Sequence, residues 1–197
     1  APIAMLRAQL RPALVLTLLL CLITGVVYPA VVTGLARVLF PRQAAGSLVS
    51  VNGRVVGSAL IGQPFTRPEY FHPRPSAAGS GYDATASAGT NKGPTDSTLA
   101  AAVAARVDSA VAAGATRGAV PSDLATASAS GLDPDISPAN ARLQVARVAR
   151  ARNVDAAALQ RLVDARTAGR QLGLLGEPRV NVLLLNLAVD SAFPVRR

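Results

Sequence analysis

Between Arg11 and Arg37 the chain carries no charged side chain, and the run from Pro12 to Ala36 is almost wholly apolar. At ~1.5 Å of rise per residue, about 25 residues make a helix of roughly 37 Å, longer than the ~30 Å of hydrocarbon in a bilayer. The run therefore reads as one membrane-spanning helix over about 12–36, with tilt or a kink to absorb the excess. Pro29 is the natural place for the kink, because proline removes a backbone donor and its ring crowds the preceding turn. A cleaved signal would need a shorter core and a small-residue cleavage site, whereas Tyr28-Pro29-Ala30 stands there. Leu20 before Cys21 argues against lipid attachment, and the run is read as an uncleaved anchor.

Thr17, Cys21, Gly25, Pro29 and Thr33 recur every four residues and form a stripe of small side chains along this helix. In lipid such a stripe lets a partner backbone come close, and threonine hydroxyls can bond across the contact. The expectation is a docking face for a partner's helices. Membrane lipid covers the bulky remainder.

What is left after the anchor, roughly 155 residues, suits one ordinary domain with one core. The division expected is 1–42 for arm and span and 43–197 for the domain. Aromatic residues make up only 4% and tryptophan is absent, so the core is built from small aliphatics and should be rich in helix. The formal charge is +9. Four of the arginines, Arg7, Arg11, Arg37 and Arg42, flank the span, so the rest of the chain is only mildly basic. No module of interleaved aromatic and basic residues marks a nucleic-acid partner. The single cysteine lies in the apolar run, which rules out a disulfide within the chain. Two arginines on each side nearly balance for orientation, with a slight preference for the amino-terminal arm inside.

Beyond the span, Asn52-Gly53 joins two β-rich segments, the strongest short signal for a hairpin. Residues 62–98 then carry a long series of prolines and glycines, a length of loop that is usually functional or disordered. Phe65, Tyr70, Phe71 and Tyr82 place four of the seven tyrosines and phenylalanines there, which argues for packing or binding. A helix is expected from Thr98 to about Ala113, capped by Thr95 or Ser97 and stopped at Gly114. The hydroxyl and carboxylate loop 126–138 leads into a helix with Ser137 as cap and Pro138 in its first turn, running to about Arg152. A second helix is expected from Asp155 to Ala168, closed by Gly169. The apolar run Val180–Val189 is read as a buried strand pairing with the hairpin. The fold class is α+β: one N-terminal transmembrane helix followed by a single mixed α+β soluble domain.

The chemistry of common enzymes is hard to assemble from these residues. A serine hydrolase would depend on the sole histidine, His72, and no G-x-S-x-G turn is present. The only lysine, Lys92, does not sit in a phosphate-binding loop. One histidine and one membrane cysteine cannot make a zinc site. Asp133 and Asp135 lack the spacing of a calcium loop and are read as helix-capping carboxylates.

Several stretches together resemble one family. They are Tyr28-Pro29, Gly57 to Gln63, Tyr70-Phe71-His72-Pro73-Arg74-Pro75-Ser76, Ser128 to Pro134, Gln144 with Arg147-Val148-Ala149, and Val180 to Ala188. The sequence is similar to the C subunit of the bacterial Kdp potassium-transporting P-type ATPase. It departs at Leu184, where that family usually has Glu, and at Lys92, where an apolar residue is common.

The resemblance implies a non-catalytic, single-pass accessory subunit that binds no cofactor itself, while ATP and potassium act elsewhere in the complex. It implies three partners: a channel-like potassium-binding subunit, a phosphorylated ATPase subunit and a small hydrophobic peptide. It also implies a cytoplasmic N-terminus, an extracytoplasmic domain, and a chaperone role raising ATP affinity. Candidate partner-contact residues are Tyr70, Phe71, His72, Arg74, Ser128, Ser130 and Asp133. The alternative left open is a free-standing, membrane-anchored module that binds cell-envelope polymers through the aromatic loop.

Overall fold

The computed structural model describes residues 2–195, with side chains from residue 8 onward, so the flanking role expected of the Arg7 side chain lies outside the described residues. The chain divides into two compact units, Ala1–Leu48 and Val49–Arg197.

The first unit is one long helical rod. Helix α1 (Pro2–Leu22) passes into a π-helical turn (Ile23–Val27) and on into α2 (Tyr28–Leu39), followed by the short α3 (Pro41–Ala44). Ala8–Leu39 is apolar and long enough to cross a membrane, and the side chains of its most apolar window are exposed. At Pro29 the rod adapts by widening. The Tyr28 N–H donates to the Ile23 carbonyl, five residues back, and this wider turn makes room for the ring that would crowd the Gly25 carbonyl in an ordinary helix. Thr24 donates its hydroxyl to the Leu20 carbonyl in the turn before it.

In the second unit, β1 (Leu48–Val51) and β2 (Arg54–Ser58) form the expected hairpin, with Asn52 at φ 51° and Gly53 at φ 77°. Both turn residues take the positive φ that a two-residue primed turn demands. Helix α4 (Ser97–Ala112) follows the long loop, and its cap is Asp96, not Thr95 or Ser97. One Asp96 oxygen accepts from the Thr98 N–H at 2.7 Å and the Leu99 N–H at 3.2 Å. The Thr98 hydroxyl, followed by these backbone donors, depresses the carboxyl to about 2.

Helix α5 (Ser122–Ala125) and the two-residue β3 (Asp135–Ile136) lead to α6 (Pro138–Arg152). Ser137 caps α6, its hydroxyl accepting from the Asn140 N–H at 3.0 Å, and Asn153 ends it at φ 53°. Helix α7 (Ala156–Ala165) is capped by Asp155 as expected but stops three residues early, because Thr167–Ala168 become strand β4.

The end of the chain departs most from expectation. Only Arg179–Asn181 is a strand, β5, and Val182–Ala192 is helix α8. A continuous apolar run does not by itself separate a buried strand from a buried helix. Here Asn181 decides the matter by capping, accepting from the Leu184 N–H at 3.1 Å. Val182, Leu185, Asn186 and Val189 then fall on one buried face at helical spacing. Nor does β5 pair with the hairpin: it lies between β3 and β4, antiparallel to both, with Val180 opposite Ile136 and Thr167. The core forms where α6, α7 and α8 close over this small sheet. Ile136, Val148, Leu159, Val163 and Leu185 are among its fully buried side chains, and Phe71 of the long loop is another.

Candidate functional site

The long loop has no regular element between Ser58 and Ser97, yet in its middle two successive residues have both backbone groups bonded to side chains of distant helices. Asn186 of α8, almost fully buried, accepts from the Phe71 N–H at 2.8 Å and donates to the Phe71 carbonyl at 3.0 Å. Gln144 of α6 repeats the arrangement on the next residue, accepting from the His72 N–H at 2.7 Å and donating to its carbonyl at 3.0 Å. A primary amide carries the same donor and acceptor as a peptide unit. Each therefore exchanges both bonds as a residue of a neighbouring strand would. Gln144 is itself held by Asn140 at 2.9 Å, and Asn140 donates to Asp123 at 3.0 Å.

Two arginines of α6 hold the carbonyls just upstream. Arg147 donates to Pro68 at 2.7 Å and Tyr70 at 3.0 Å. Arg152, whose side chain is 0% exposed, donates to Glu69 at 2.7 Å, to Phe193 at 2.9 Å and to the Asp190 carboxylate at 2.7 Å. Its guanidinium also lies 5.0 Å from the centre of the Tyr70 ring, with that of Arg67 at 4.9 Å. The Tyr70 hydroxyl donates to Asp190 at 3.2 Å. The charges on this face thus hold backbone and ring in place.

The downstream half of the loop is tied to residues 128–135. Arg74 pairs with Asp133 at 2.8 Å, and Ser76 donates to the Gly131 carbonyl at 2.6 Å. Gly131 at φ +67° sits so close that an added Cβ would lie 2.6 Å from the Ala78 nitrogen and the Ala88 oxygen. Ser130 caps its own turn, accepting from the Leu132 N–H at 3.1 Å, while Ser128 is buried. The two stretches expected to meet partners are therefore one packed assembly, joined by Arg74 and Asp133. Within it Phe71 points wholly into the core, and His72 and Arg74 stay partly exposed.

The carboxylates of this loop do not cap α6. Asp133 pairs with Arg74, Asp135 with Arg179 at 3.2 Å, and the cap is Ser137 supported by Asp123 at 2.8 Å. Both aspartates have an arginine within reach, which outweighs a more distant helix end. Among the described residues no group of three or more His, Cys, Asp or Glu could hold a metal ion. Burial, reinforced by the Arg147 charge, pulls the His72 ring below its ordinary pKa against the Arg67 carbonyl, which it meets at 3.0 Å. A carbonyl only accepts, so Nε2 carries the proton and the ring is committed to backbone.

The Tyr82 hydroxyl donates to the Arg74 carbonyl, and burial pushes its phenol up to about 12, aided by Asp133 and opposed by Arg74. A phenol raised on folding contributes stability that is whole below its ordinary value and is lost as pH rises toward the folded one. Alkaline titration by ultraviolet absorbance is expected to show one of the three tyrosines ionising near pH 12, with unfolding over the same range. Ionisation of all three at the ordinary value with the fold intact would contradict this placement.

Asn186 and Arg152 are not among the candidate partner-contact residues, although Asn186 lies in the Val180–Ala188 stretch that carries the resemblance. Asn186 left one signal: an amide inside Leu183-Leu184-Leu185-Asn186-Leu187, where a buried polar group needs a partner. Arg152 left none, being one of several arginines along α6.

One apolar helix long enough to cross a membrane among the described residues, followed by an α+β domain, suits the build of a membrane-anchored subunit with a single pass. The family described as K+-transporting ATPase, c chain, matches residues 10–191, and the chain belongs to this family. Relatives named potassium-transporting ATPase KdpC subunit support the assignment. That of Gemmatimonas aurantiaca is 69% identical, covering 93% of this chain and 92% of its own length. That of Rhodospirillum rubrum is 59% identical over 97% and 99%, and that of Mycobacterium tuberculosis 52% over 94% and 99%.

Proposed function

We propose that this subunit is a non-catalytic assembly element of an ATP-driven potassium uptake complex, binding its partners through the span and the domain while the chemistry proceeds on other chains. The observation that carries this reading is the use of the polar side chains around the aromatic loop. Asn186, Gln144, Arg147 and Arg152 are all engaged with backbone, which builds a rigid surface. The partners are the channel-like potassium-binding subunit, the phosphorylated ATPase subunit and the small hydrophobic peptide. The domain, residues 43–197, lies outside the cytoplasm and the amino terminus inside. An effect on ATP affinity then has to cross the membrane as a coupling between two conformations of the complex, carried by the span.

In the span, the stripe of Thr17, Cys21, Gly25, Pro29 and Thr33 is the docking face. A straight α-helix turns such a four-residue stripe by about 40° at each step, and the wider π turn at Ile23–Val27 counters that drift midway. A Cβ added at Gly25 would meet nothing within 4 Å, so a larger side chain there leaves the isolated chain intact. Gly25→Leu is therefore expected to reduce recovery of partner subunits with tagged, detergent-extracted protein by about tenfold, the effect of losing one close helix contact. Undiminished recovery would remove the docking face. A wild-type protein that comes out alone would favour the free-standing binding module.

A further inference from the structure

A groove of about 730 Å³ opens beside the aromatic loop, between α4 and α6, and its wall has a one-sided charge. Arg74, Arg106, Arg147 and Arg150 line it together with His72, and among the described residues no aspartate or glutamate does. Asp133 reaches Arg74 without lining the groove. Between the arginines the wall is apolar and short, with Ala110, Ala113, Ala146, Pro73 and Leu143.

The four guanidiniums are not equally engaged. Arg74 is paired and Arg147 is taken up by two carbonyls and Gln144. Arg106 makes one bond, to the Ala125 carbonyl at 3.1 Å, which leaves most of its five N–H donors free. The Arg150 side chain is exposed, and its guanidinium makes no hydrogen bond or ion pair among the described residues. Two guanidiniums with spare donors on an apolar wall suit a planar carboxylate, which takes paired N–H bonds from arginine.

We propose that this groove receives an extended acidic segment of a partner subunit, one Asp or Glu side chain meeting Arg106 and Arg150 and its apolar neighbours lying on the alanine and proline wall. This rests on the assembly role above and gives the partner surface its chemistry. Charge complementarity favours an acidic occupant, since among the described residues the arginines face no acid across the groove, and alanine and proline between them suit the apolar neighbours of a peptide carboxylate. Membership of a transport ATPase family supplies partner chains from which such a segment can come.

The test uses the complete chain co-expressed with its partner subunits, carrying photoreactive benzoylphenylalanine in place of Ala113 on the groove wall. Cross-linked products are mapped by mass spectrometry. The expected product joins position 113 to one partner segment containing Asp or Glu. Its yield should fall about tenfold in Arg106→Gln/Arg150→Gln, as expected for losing charge-assisted hydrogen bonds. Arg150→Gln alone, which breaks no internal bond among the described residues, should lower it severalfold. The proposal is overturned by a product with lipid or with a segment lacking an acid, by no product at all, or by a yield that ignores both substitutions. Recovery of partner subunits in the same preparation separates the two readings. Partners present without the cross-link remove only the groove, whereas partners absent remove the assembly role as well.

Discussion

Asn186→Leu is expected to lower the unfolding free energy by about 4 kcal/mol, because it leaves two buried backbone groups without partners at ~1–3 kcal/mol each. The Phe71 N–H and carbonyl both end on this one amide, and Phe71 itself is fully buried, so water cannot replace the lost bonds without opening the core. Leucine keeps the apolar volume of the site, so the loss reports hydrogen bonding rather than a cavity. Urea denaturation of the full chain in detergent, followed by tyrosine fluorescence, measures it directly, since no tryptophan masks the signal. Asn186→Asp tests the same two bonds through a titratable group. It keeps an acceptor for the N–H but turns an oxygen toward the carbonyl, and it should recover stability as pH falls, when the protonated acid can donate. A leucine variant within about 0.5 kcal/mol of wild type, the range of ordinary surface substitutions, would refute the clamp.

Arg152→Met is expected to cost about 3 kcal/mol, the low end for removing one member of a buried ionic network, since Asp190 keeps access to water. Methionine follows the path of the arginine stem, but the Glu69 and Phe193 carbonyls lose their donor. Arg152→Lys should lose less, because one ammonium reaches some but not all of the acceptors. Asp190→Asn is the discriminating companion. If the carbonyls carry the energy, it costs under about 1 kcal/mol, because Asp190 is solvated at its outer side and asparagine keeps an oxygen to accept from Arg152. An Asp190→Asn loss as large as that of Arg152→Met would instead make the ion pair the source of stability. Both losses should loosen the segment from Pro68 to His72, seen as faster amide exchange there.

The two variants probe the step at which sequence reading stopped. The aromatic content of the loop around Tyr70 points to packing or binding, and Phe71 does pack into the core. The means of packing did not appear, because Asn186 lies 115 positions from Phe71 and Gln144 lies 72 positions from His72. Arg142 and Arg150 on the same helix are exposed and Arg152 is buried. Nothing local separates them, since helix phase gives a direction but not what stands opposite.

What the sequence determined by itself are the features whose physics is confined to neighbouring residues. A charge-free apolar run makes a helix long enough to cross a bilayer, Asn52-Gly53 takes the two positive φ values of a hairpin turn, and Ser137 and Asp155 cap the helices they precede. The tertiary structure decided the rest. It divided the last apolar run into β5 and α8 by giving Val180 two strand partners and Asn181 a helix to cap, where apolar content alone suits either form. It also turned a proline-rich loop into a fixed surface, because buried amides and arginines from distant helices supply the backbone partners that a strand would otherwise provide.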